Sequence, residues 1–191
     1  MTEQFYSMAD DVEYPGRWYL GAPLDALGNP VDPEMFRVAR TVTVAEPLRI
    51  SIRRPGSPLD FTFASLDMPV ANARTTELLR ELAPTQLQIF AAAVDGQEDK
   101  YFIINILPVR FCVDESKSEF MKWTKDDHRA DLASQYRMIS RLRVDSNRAA
   151  ETPIFRLGGY KIVVIVSDEI RDVFVAARIS GVRFAAVSEL Q

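Results

Sequence analysis

One cysteine and one histidine stand in a chain of 191 residues. Cys112 has no second thiol for an intramolecular disulfide, so packing and hydrogen bonds must hold the fold. It lies in an apolar run, where a small buried hydrophobe is its expected role. With His128 alone, any Ser-His or Cys-His triad must use a residue of the polar run Lys125-Asp126-Asp127-His128-Arg129. No Gly-x-Ser-x-Gly elbow, His-Glu-x-x-His motif or EF-hand spacing accompanies it, and a surface histidine is the expectation. Gly158-Gly159 lacks the spacing of a phosphate loop and precedes a strand pattern instead of a helix, so a turn between strands suffices. We therefore expect no catalytic residue, no metal site and no cofactor.

Long apolar runs are also missing. None approaches the ~18 residues of a membrane span, and the start MTEQFYSMADDVE lacks a basic stretch followed by an apolar one. The expected location is the cytoplasm, with no membrane partner. Bases are in deficit, 23 Lys and Arg against 27 Asp and Glu, for a net charge of -4. That sign argues against a nucleic-acid partner. The deficit is sharpest in residues 1–36, where Glu3, Asp10, Asp11, Glu13, Asp25, Asp32 and Glu34 face only Arg17. Either a solvated acidic surface or a face for a basic partner would use this imbalance.

What is present describes an ordinary globular chain, 47% hydrophobic and 26% charged, enough for one domain with its own core. Residues 1–13 are free to be flexible, and Asp114 to Asp131 reads as a polar surface segment. Strand patterns cover Arg17 to Leu20, Val38 to Ile52 with a break at Pro47, Leu59 to Phe63, Gln86 to Val94, Tyr101 to Val113, Tyr160 to Val166 and Val182 to Val187. Asp95-Gly96 marks a hairpin, and Pro108 a bulge or a break in pairing. A helix is expected from Thr75, as N-cap, to Leu82 before Pro84. Another is capped by Ser167 or Asp168, with Gly181 as the left-handed residue past its end. Between them, Leu132, Tyr136 and Ile139 have helical spacing while Met138, Leu142 and Val144 have strand spacing, which predicts a helix ending in a strand. Strands dominate without regular α/β alternation. The expected class is α+β, a single domain with a mostly antiparallel sheet and two or three helices.

Trp18, in Trp18-Tyr19-Leu20, reads as core, whereas Trp123 interrupts a polar stretch and can be an exposed anchor or fold back. Arg141, Arg143, Arg148 and Arg156 form a basic neighbourhood, more economically explained by pairing with the chain's own carboxylates than by a partner.

Several segments in order carry a resemblance: Trp18-Tyr19-Leu20-Gly21, Leu59-Asp60-Phe61, Pro69-Val70 with Arg74, Tyr101-Phe102-Ile103-Ile104-Asn105, Cys112-Val113-Asp114 with Ser116, Ile154-Phe155-Arg156-Leu157, Val166-Ser167-Asp168-Glu169-Ile170 and Gly181-Val182-Arg183-Phe184. From about residue 14 to residue 187 the chain resembles the polymorphic-toxin immunity proteins of group eleven. The resemblance implies a bacterial, non-enzymatic protein that binds and neutralises a cognate toxin domain in the producing cell. Most of these segments fall on predicted strands and caps, so recognition is expected on exposed loops, at Glu115, Glu119, Trp123, Asp126 and Asp127. A basic nuclease toxin would suit such acids. The competing readings are a small carboxylate-dependent enzyme, which requires convergent acids between Asp114 and Asp131, and an assembly subunit with a broad apolar patch.

Overall fold

Cross-strand pairing organises the chain over residues 3–188, which the computed structural model describes. The first half runs β1 (Phe5–Asp10), β2 (Tyr19–Leu24), β3 (Leu48–Arg54), β4 (Phe61–Ala64), β5 (Met68–Asn72), α1 (Ala73–Leu82), β6 (Leu87–Val94) and β7 (Tyr101–Ile106). The second runs β8 (Val109–Arg110), β9 (Glu119–Lys122), β10 (Tyr136–Arg141), α2 (Ser146–Ala149), β11 (Ile154–Leu157), β12 (Val164–Ser167), α3 (Asp168–Ala176) and β13 (Val182–Ala186). One sheet has the order β2-β3-β6-β7-β5-β4, a second β13-β1-β12-β11-β8, and β9 with β10 forms a separate ribbon. Pairing is antiparallel except between β3 and β6 and between β8 and β11. The α+β class with a largely antiparallel sheet is therefore what forms.

Alternation along the strands assigns each face. In β7, Tyr101 and Ile103 pack with Trp18, Ile50, Phe90 and Phe36, the last on a 3-10 turn Pro33–Phe36. Ile104 and Ile106 point the other way, against Val164 and Val166 of β12, with Leu79 of α1 and Ile170 and Phe174 of α3. The far face of the second sheet buries Phe5, Phe155, Leu157 and Ile165 beside Cys112. Each such side chain contributes about 1.5–3 kcal/mol relative to exposure, which makes these layers the source of stability.

Local chemistry explains the boundaries. Gly96, with φ +72°, turns the β6–β7 hairpin, whose register runs from Leu87 opposite Ile106 to Ala92 opposite Tyr101. Pro108 is a break in pairing: β7 ends at Ile106, and after the proline the chain changes sheets to lay β8 beside β11. Ser167 caps α3 through the N–H of Ile170.

Several expectations are corrected. Residues 1–13 are not a flexible lead-in throughout, because β1 lies between β12 and β13 with Phe5 buried; residues 1–2 fall outside the described residues. The cap of α1 is Asn72, whose side chain accepts from the Thr75 N–H at 2.9 Å, while Thr75 itself is buried. The left-handed residue after α3 is Arg178 at φ 54°, and Gly181, φ +87°, serves the entry to β13. Between Val38 and Pro47 no strand forms; the Gln88 side chain instead takes both the N–H and the carbonyl of Val42. Tyr136–Arg141 is strand without a preceding α-helix, only a 3-10 turn at Ala130–Leu132. Register shifts on either side of Met138 and Ile139 let Tyr136 and Ile139, three apart, both face inward. A strand bearing bulges thus imitates the helical period.

Candidate binding surface

The β9–β10 ribbon projects from the second sheet because its inner residues are anchored. Tyr136 and Ile139 pack on the Phe155 layer, and Phe120 meets Tyr136 edge-to-face at 5.2 Å. The Tyr136 N–H donates to the Gly159 carbonyl at 3.0 Å, and the Asp114 N–H donates to that of Arg143 at 2.9 Å. The ribbon's outer face carries Met121 opposite Met138, each 49% exposed, bordered by the Glu119–Arg141 ion pair at 3.3 Å.

All five residues expected to meet a partner lie on or beside this ribbon. Glu115 Oε1 accepts from Lys122 Nζ and from the Tyr136 hydroxyl, each at 2.6 Å, and these bonds hold its carboxyl below the usual range. Trp123 is half-buried, with the Arg137 guanidinium 4.8 Å from its ring and His128 edge-on at 5.3 Å. Asp127 closes the following turn by accepting from the N–H and hydroxyl of Thr124, bonds that lower its pKa, and Arg137 approaches at 3.5 Å. Asp126 is exposed and has no side-chain partner among the described residues. The structure thus places the five together but answers three of the four acids with cations of the ribbon itself.

Two grooves adjoin the ribbon, with Tyr136 and Gly159 in the lining of both. One, of about 570 Å³, is bounded by Phe111, Glu115, Lys122, Tyr136 and Arg148. Phe111 is 73% exposed and lies over Gly158, where a Cβ would come within 2.5 Å of the ring. The other, of about 440 Å³, runs between Trp123, Arg129 and Arg137 and the segment bearing Glu34 and Arg37.

Chemically, these parts suit recognition. The acids between Asp114 and Asp131 pair outward with Lys122, Arg129, Arg137 and Arg141 instead of converging, so the carboxylate-enzyme reading lacks the geometry it requires. Among the described residues no three His, Cys, Asp or Glu side chains gather as metal ligands, and no helix is long and apolar enough to cross a membrane. Cys112 is buried, and burial pushes its thiol up to about 11. Of the basic neighbourhood, Arg141 and Arg148 pair with Glu119 and Asp145 as expected, but Arg156 is buried among carbonyls.

The model of the Imm11 immunity protein family matches residues 27–189. The chain belongs to this family. Its function is accordingly immunity, the neutralisation of a cognate toxin, and its partner is that toxin. No curated protein matches the sequence. The match to the Imm11 family spans most of both sheets and the ribbon.

Sequence reasoning passed over Phe111, Met121 and Met138. Phe111-Cys112-Val113 reads as one apolar run, yet just past the end of β8 Cys112 and Val113 turn inward while Phe111 stays out. The signal for Met121 was its place between Glu119 and Lys122 on a polar strand, but its pairing with Met138 needed the register.

Proposed function

We propose that this Imm11 protein neutralises its toxin by stoichiometric binding through the β9–β10 ribbon, without catalysis of its own, in the cytoplasm of the producing cell. The observation that carries the reading is the outer face of the ribbon: Met121 and Met138 stand half-exposed on a scaffold pinned by Tyr136 and Ile139, beside Trp123 and Asp126. Methionine and tryptophan give large contact area, and a pinned ribbon loses little freedom on binding. Glu115, Glu119 and Asp127 contribute as ion-paired rim groups, and Trp123, Asp126 and the methionines as the anchor. The net charge of -4 favours a basic toxin, such as a nuclease, through long-range steering.

The test is co-expression with the toxin domain encoded beside the gene, scoring survival and co-purification. Wild type is expected to rescue growth and form a 1:1 complex. Trp123→Ala with Asp126→Arg, and separately Met121→Ala with Met138→Ala, should each weaken binding tenfold or more, about 1.4 kcal/mol, with unchanged thermal unfolding. Rescue and affinity unaffected in both variants would move the interface elsewhere.

A further inference from the structure

Between β4 and β5 the chain turns through Ser65–Asp67, where Leu66 (φ 54°, ψ 43°) and Asp67 (φ 56°) are both left-handed. Glycine, asparagine and aspartate tolerate that region, as Asp67 does; leucine there is strained and persists only where its surroundings over-determine it. Leu66 is also 51% exposed, so hydrophobic burial does not explain its choice.

The surroundings that hold the turn are unusual in themselves. Arg156 of β11 is fully buried, and its hydrogen bonds go to backbone carbonyls only: Nη1 donates to Lys161 at 2.7 Å, and Nη2 to Asp67 at 3.1 Å and Phe36 at 3.5 Å. Arg37 adds a longer contact to the Asp67 carboxylate at 3.7 Å. A buried guanidinium without a carboxylate is expensive. Here it ties three separate segments to one another and fixes the Leu66–Asp67 turn with the leucine outward.

We infer that Leu66 is a pre-organised anchor for the toxin domain, inserting into an apolar recess on it. This deepens the proposed function and rests on that reading. The occupant follows from continuity: Arg37, which reaches Asp67, also lines the groove that Trp123 lines. Leu66 is therefore the chain neighbour of a residue that meets the border of this groove. Backbone strain on an exposed apolar residue serves binding because a rigid knob has already lost the freedom that association would otherwise remove.

The test measures the affinity of the purified full chain for the toxin domain encoded beside its gene, and unfolding temperature, for Leu66→Ala and Leu66→Gly. Both variants should bind at least tenfold more weakly. Glycine relieves the left-handed strain, so Leu66→Gly should unfold no lower than wild type while still losing affinity. Affinity within twofold of wild type for both variants, or a drop in unfolding temperature for Leu66→Gly, would overturn the inference and leave the ribbon reading intact. Wild type that fails to bind the toxin domain would remove both.

Discussion

The Asp10 carboxylate of β1 accepts the backbone N–H of Phe63 in β4 at 2.8 Å. One sheet thereby closes the open edge of the other, and the Phe61 N–H beside it donates to the Ser180 carbonyl at 3.1 Å. An unpaired strand edge invites association with other chains, and here a side chain and a loop occupy it. Arg17, itself buried, completes the clip by pairing with Asp10 at 2.9 Å and donating to Thr62. Burial raises the Asp10 pKa even against these partners.

Asp10→Ala would strand the Arg17 cation and the Phe63 N–H together. The expected loss is about 3–5 kcal/mol, the range for breaking a buried pair, seen as a lower denaturant midpoint. An unchanged midpoint would show that water replaces the carboxylate without cost.

Acid should act first on the ribbon. Glu115 and Asp127 both have folded pKa values below their ordinary 4.5 and 3.8, so the stabilisation they supply is complete above those values and is lost as pH falls through the lowered ones. Asp10 is shifted the opposite way, so its own proton uptake does not weaken the clip, although Asp25 and Asp145, the cap of α2, are lowered like the ribbon's acids. On acidification from about pH 5 to about pH 3, the indole N–H signal of Trp123 is expected to move before that of buried Trp18. Simultaneous movement would mean the ribbon and the body lose structure as one unit.

Gly181→Ala should be among the most damaging small substitutions. At φ +87° a Cβ is strained, and it would collide with the Phe61 carbonyl and lie 2.9 Å from Leu59. The expected destabilisation is about 2–4 kcal/mol, measured by chemical unfolding. By contrast, a Cβ at Gly158 meets only the ring of exposed Phe111, which can swing away, so Gly158→Ala should disturb the groove more than the fold.

Cys112 should be inert to thiol reagents in the native protein and release one equivalent of reactive thiol on denaturation, because its side chain is buried and its pKa is pushed up to about 11. Rapid labelling of the native chain would mean that the layer around Phe155 opens locally.

The readable parts of the fold were those governed by neighbours in sequence. Asp95-Gly96 announced its hairpin, Ser167 its helix, and the Tyr160 to Val166 run a buried strand that forms only from Val164. What depended on distant partners was not readable. Arg156 sits in Ile-Phe-Arg-Leu, where alternation offers no clue that the remote carbonyls of Phe36 and Asp67, with that of nearby Lys161, will solvate its charge. The bulges of β10 erased the period that would have separated strand from helix. At the binding surface, composition marked the Glu115–Asp127 stretch, but only the ribbon's register revealed that its acids are mostly answered and its methionines paired.

The position of β1 imposes an order on synthesis. Tyr6 pairs with Val166 on one side and Ala186 on the other, so β1 must wait for two neighbours that both lie far along the chain. The second sheet, and the ribbon seated on it, cannot be finished until β12 and β13 have been made. Long-range pairings of this kind form late and slowly. A chain stopped before β12 therefore leaves β1 with neither neighbour and the second sheet without its centre.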